Sequence, residues 1–106
     1  MSEDVAKASY NKGIDLENLH RYEEAIAAYS EVVTRFDNSQ NTTIQETVAM
    51  ALYNKGFALE NLHRYEEAIA VNNDVITLFG NSQNTIIQEA IAKARQLLEE
   101  LANVTR

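Results

Sequence analysis

Sliding the chain along itself by 43 residues superimposes most of it, and no other feature limits the possible folds so strongly. The run Tyr10-Asn11-Lys12-Gly13 falls on Tyr53-Asn54-Lys55-Gly56, and residues 16–27 recur unchanged at 59–70. Between 6–46 and 49–89, 12 of 41 positions differ and 29 are identical. A third copy begins at Ala92 and fades near Asn103. A period of this length signals a supersecondary unit that buries its apolar face only against its neighbours. The chain is therefore expected to be one domain over residues 1–106, with repeat one at about 3–40, repeat two at about 41–83 and a closing helix at about 84–104.

Each unit reads as a helix pair. Val5, Ser9, Lys12/Gly13, Leu16 and Leu19 follow the three-to-four spacing of an amphipathic helix, as do Ile44, Val48, Ala51/Leu52, Gly56, Leu59 and Leu62. The second helices carry Tyr22, Ala25/Ile26, Tyr29, Val32/Val33 and Phe36, and then Tyr65, Ala68/Ile69, Val75/Ile76 and Phe79. The last helix repeats Ile87, Ile91, Ala94, Leu98 and Leu101. Turns are expected at His20-Arg21, at His63-Arg64 and in the two Asn-Ser-Gln-Asn stretches, with Gly80 supplying a left-handed helix end. Thr42, Thr43 and Thr85 stand at capping-box spacing from Gln45, Glu46 and Gln88, which places the starts of helices three and five there. The expected fold is all-α, with five helices and no strands.

Glycine in mid-helix costs about 1 kcal/mol relative to alanine. Gly13 and Gly56 therefore mark a close approach, for which Ala25 and Ala68 on the facing helices are the expected contacts.

In this order the residues resemble the tetratricopeptide repeat family. Leu52, Gly56, Leu59, Tyr65, Ala68 and Phe79 fit its pattern, as do Gly13, Leu16, Tyr22, Ala25, Tyr29 and Phe36. The Tyr-Asn-Lys-Gly and Arg-Tyr-Glu-Glu-Ala-Ile segments more closely resemble a longer-period (42–43-residue) bacterial-type subclass with an extended first helix. The resemblance implies a right-handed α-solenoid of two helix-turn-helix repeats and a C-terminal capping helix. Ser9, Lys12, Lys55, Val32, Val75, Asp37 and Gly80 depart from the pattern, and Asn72 stands where an aromatic is expected. The unit exceeds the family's common 34 residues by nine, which, mostly helical, would lengthen the first helix by about two turns.

The resemblance also implies that the first helices line a concave face suited to a peptide or helix of a partner protein. The binding residues expected there are Tyr10, Ile14, Asn18, Met50, Tyr53, Asn54, Phe57 and Asn61, with Asn11, Glu17 and Glu60 beside them. Tyr10/Ile14 and Tyr53/Phe57 are i,i+4 pairs on one helix face. The competing reading makes the same residues packing between neighbouring first helices. The family's carboxylate clamp needs converging Lys, Asn and Arg, and only Asn54 is placed for it.

Composition narrows the function. With no cysteine and a net charge of −7, thiol chemistry is excluded and binding to a phosphate backbone is disfavoured. His20 and His63 stand one repeat apart in exposed turns, so metal binding is not expected, nor any cofactor. No nucleophile-base pair or phosphate loop points to an enzyme. No membrane-length apolar run occurs, and the acidic start Met1-Ser2-Glu3-Asp4 is unlike a signal peptide, so a cytoplasmic protein is expected. Glu17–Arg21 and Glu60–Arg64 are expected as i,i+4 ion pairs. Asn72 is expected either to bond across to Gln96 or Arg95 or to lie at a subunit interface.

Two units and one closing helix fall short of the roughly three repeats a solenoid needs. Either Lys93, Arg95, Gln96, Glu99 and Glu100 coat the last helix as a cap, or chains pair as a homodimer. The alternative to a partner-binding scaffold is thus a self-associating segment of a longer array with no separate ligand.

Overall fold

A computed structural model of the chain describes residues 2–105. Those residues form α1 (Ser2–Asn18), α2 (Tyr22–Phe36), α3 (Thr42–Asn61), α4 (Tyr65–Phe79) and α5 (Thr85–Val104), with no strand among them. Consecutive helices pack as hairpins, and α1, α3 and α5 also pack side by side. The result is two layers, α1/α3/α5 and α2/α4, in a slab of 43 × 32 × 18 Å. At the surface α4's entry turn is tied to α2 by the Arg64–Glu23 ion pair at 2.7 Å.

The core runs through both layers, from Ala25, Tyr29 and Val32 through Ile44, Val48, Leu52 and Leu59 to Val75, Ile87, Leu97 and Leu101. The stripe expected on α3 is buried apart from Leu62, which caps the helix. The stripe expected on α1 holds only in part. Val5 is 38% and Leu19 64% exposed, and the buried residues are Ala6, Gly13 and Leu16. Val5 is the copy of Val48, which is 1% exposed on α3, a helix packed against α1, α2, α4 and α5, whereas α1 packs only against α2 and α3 among the described residues. On α5 the innermost leucine of the middle turns is Leu97, whereas Leu98 is half-buried.

Three local expectations are corrected by the geometry. Helices α3 and α5 do begin at Thr42 and Thr85, but the caps are Asn41 and Asn84, whose side chains accept from Ile44 N and Ile87 N at 3.0 Å. Asparagine reaches the third amide of the helix better than threonine does. Gln45 and Gln88 close the motif backwards onto the Ser39 and Ser82 carbonyls. Gly80 is right-handed, with φ −58°. The left-handed positions are His20 (φ 60°) and His63 (φ 61°). There the amides of Arg21 and Arg64 bond the Leu16 and Leu59 carbonyls, while His20 and His63 bond Glu17 and Glu60, the two bonds of a Schellman ending. Histidine in place of the usual glycine bears a steric cost. Each ring is held by the next tyrosine, with Tyr22 Oη 3.0 Å from His20 Nδ1 and Tyr65 Oη 3.3 Å from His63 Nδ1.

This ending also redirects the arginines. Arg21 and Arg64 lie beyond their helices, so they pair forward with Glu24 and Glu67 rather than back to Glu17 and Glu60. The Arg64 bond holds the exposed Glu67 carboxyl below its usual range.

Candidate functional site

The mid-helix glycines organise the interior around the site. A Cβ on Gly13 would collide with the Tyr29 ring, whose Cδ1 would stand 2.7 Å away, and a Cβ on Gly56 would collide with the Asn72 amide. The close approach expected from the glycines is real, but its partners are Tyr29 and Asn72, one helical turn beyond Ala25 and Ala68.

Tyr29 is fully buried, and its hydroxyl donates to Glu17 Oε1 at 2.7 Å. Its ring lies 5.9 Å from that of Tyr10, and the Tyr10 hydroxyl accepts from Asn54 Nδ2 at 2.8 Å. This chain of contacts joins α2, α1 and α3. Burial pushes the Tyr29 hydroxyl far above the ordinary tyrosine range, helped by its bond to the Glu17 carboxylate. Burial raises Tyr10 as well, with the Asn54 bond opposing it.

In the second unit Asn72 replaces Tyr29. It does not reach Gln96 or Arg95: Nδ2 turns back to the Ala68 carbonyl at 2.8 Å, and Oδ1 is buried without a partner. Tyr53, half-buried, keeps its place beside Lys93 Nζ, which sits 6.0 Å over the ring. Burial raises the Tyr53 hydroxyl, and the carboxylates of Glu100, Glu60 and Glu17 add to the shift. Glu60 is raised by burial and then by Glu100.

Of the eight residues expected on this face, Tyr10, Met50, Tyr53 and Asn54 meet in one shallow cleft of about 80 Å³. Ile14 and Phe57 are half-buried against the core. Asn18 and Asn61 are exposed at the helix ends, where Asn61 Nδ2 donates to the Phe57 carbonyl. The other wall comes from α5, through Ile86, Glu89, Ala90 and Lys93, which the sequence reading did not include. The 43-residue offset carries the signal, since it places Lys93 on Met50 and Glu89 on Glu46.

A wider recess of about 700 Å³ opens between the two inter-unit loops and the end of α4. It is a gap between turns, and its lining contains a single anion, Asp37, and a single cation, Arg95. No group of three or more His, Cys, Asp or Glu side chains among the described residues is arranged to hold a metal ion. No helix among them is long and apolar enough to cross a membrane.

The described residues thus define an all-helical repeat protein with a continuous α1/α3/α5 face. The tetratricopeptide repeat family model matches residues 49–81, about a third of the chain. That match begins seven residues inside α3, so roughly two turns of that helix lie ahead of the family's unit. No curated protein and no solved structure matches the chain.

Proposed function

We propose that the chain is a protein–protein interaction scaffold whose α1/α3/α5 face holds a peptide or helix of a partner. Tetratricopeptide repeats generally mediate contacts between proteins. The carrying observation is the cleft in which Tyr10, Met50, Tyr53 and Asn54 of two units meet α5. Aromatic rings left half-exposed on a rigid helical layer are the side chains that anchor most interfaces. Selection from a displayed peptide library tests the reading. Selected peptides should lose at least tenfold in affinity on Tyr53→Ala, with the far-ultraviolet circular dichroism unchanged. If the library yields no binder and Tyr53→Ala and Phe57→Ala act only by lowering Tm, the residues are packing and the reading fails.

The second reading, a self-associating segment of an array, is supported by one observation. Val5 on α1 and Leu19 just beyond its end are exposed, where their copies Val48 and Leu62 are buried and half-buried. Sedimentation decides it: a homodimer should dissociate on Val5→Glu, and a single mass of 11.9 kDa at high concentration removes self-association.

A further inference from the structure

Because the two units are copies, each arrangement in the first is an internal control for the second. In the first unit the carboxylate of Glu17 receives a hydroxyl donor from Tyr29 at 2.7 Å. Glu60 is the copy of Glu17, and Asn72, in the place of Tyr29, spends its amide on the Ala68 carbonyl. No hydrogen bond or ion pair among the described residues engages the Glu60 carboxylate, although the residue is half-buried. Leaving a partly desolvated carboxylate without a donor is costly. Glu100 replaces the apolar Ile14 and Phe57 of the earlier copies and adds a second carboxylate beside Glu60.

The cleft carries one charge of each sign, Lys93 and Glu89, and the face beyond it is acidic at Glu60 and Glu100. Toward the start of α3, Lys93 overlies Tyr53 and lines the cleft. Seven residues further along α5, about 10 Å, stands Glu100. The cleft is small enough for one side chain, and the chain's net charge of −7 steers cations toward it.

We propose that the occupant of this face is a basic peptide segment. It seats one aliphatic or aromatic side chain between Tyr10, Met50 and Tyr53, and sets a lysine or arginine about three residues away on the carboxylates of Glu60 and Glu100. The spacing follows from the geometry: Tyr53 and Glu60 are two helical turns apart, about 10 Å, which an extended peptide covers in about three residues. The cation supplies the donor that Tyr29 supplies in the first unit, and it relieves the repulsion between the two carboxylates. This inference rests on the scaffold reading and adds the chemistry of the partner.

Fluorescence anisotropy with labelled twelve-residue peptides tests it. The set has Leu-x-x-Lys and Lys-x-x-Leu in both directions, with Gln or Glu replacing lysine and Ala replacing leucine, in otherwise Gly/Ser backgrounds. The leucine–lysine peptide should bind at least tenfold tighter than its glutamine counterpart and weaken with salt. In Glu60→Gln/Glu100→Gln that preference should vanish while the leucine–glutamine peptide binds as before; circular dichroism confirms that the variant is folded. Equal affinity for lysine and glutamine peptides, or preference for glutamate, overturns the charge assignment while the cleft stands. Lysine peptides that bind alike without leucine, or bind the double variant unchanged, show mere charge attraction and also overturn it. If no leucine peptide binds wild type while the displayed library still yields a binder, this proposal falls and the scaffold reading stands; if the library yields none either, both fall.

Discussion

The Tyr29 hydroxyl donates to the Glu17 carboxylate at 2.7 Å, tying the middle of α2 back to the end of α1. Burial, with the Glu17 carboxylate beside it, holds that hydroxyl well above the ordinary tyrosine range, so it stays a donor at neutral pH. The Tyr29 ring meanwhile covers Gly13 and rests near Tyr10, so one side chain serves three contacts.

Tyr29→Phe separates the bond from the ring. Loss of a donor to a part-buried carboxylate should cost about 1–2 kcal/mol, and Tyr29→Ala, which also empties the space over Gly13, about 3–5 kcal/mol. Urea unfolding with an unchanged m-value checks both. A Phe variant within about 0.5 kcal/mol of wild type would mean that water serves Glu17 equally well.

Helix propensity alone makes Gly→Ala worth about 1 kcal/mol of added stability in mid-helix. Here the sign should reverse. Gly13→Ala forces a rigid buried ring aside and should cost about 1–3 kcal/mol. Gly56→Ala meets the shorter Asn72, and in an Asn72→Ala background the obstruction is gone, so the same substitution should become stabilising. A double-mutant cycle measures this; additivity within about 0.3 kcal/mol would mean that Asn72 does not stand in the way.

These particulars show what the sequence made legible. The 43-residue offset revealed the helix pairs, the register and the polar coat of α5, because each follows from periodicity. It did not reveal which side chain lies over each glycine. A helical side chain leans toward its own N-terminus, so Tyr29 reaches Gly13 from a turn beyond Ala25. The Schellman endings were hidden because histidine, not glycine, holds the left-handed position. That ending in turn defeated the Glu17–Arg21 pairing, since i,i+4 spacing has no meaning across a helix terminus. Half of the expected face residues line the cleft, and its second wall is α5 because the closing helix continues the register of α1 and α3.

Glu60 gives a pH signature that separates a bare carboxylate from a paired one. Its folded-state pKa is raised above the ordinary 4.5, by burial first and by Glu100 of α5 second. The acidic form is therefore favoured by the fold. The ionised form burdens it, and the burden is absent below about pH 4.5, grows as pH rises toward the folded value and is constant above it. The titrating and charged groups facing it are Glu100 and Tyr53, with Glu17 acting on the same hydroxyl. Glu60→Gln should accordingly match wild type near pH 4 and exceed it in Tm by pH 7. Salt should shrink that gap by screening Glu100, and Glu60→Gln/Glu100→Gln should gain less than the sum of the single changes. Thermal melts at pH 4, 5.5 and 7 in low and high salt provide the measurement. If Glu60→Gln melts lower than wild type at pH 7, the carboxylate already has a partner inside the fold, and the reason for expecting a cation there disappears.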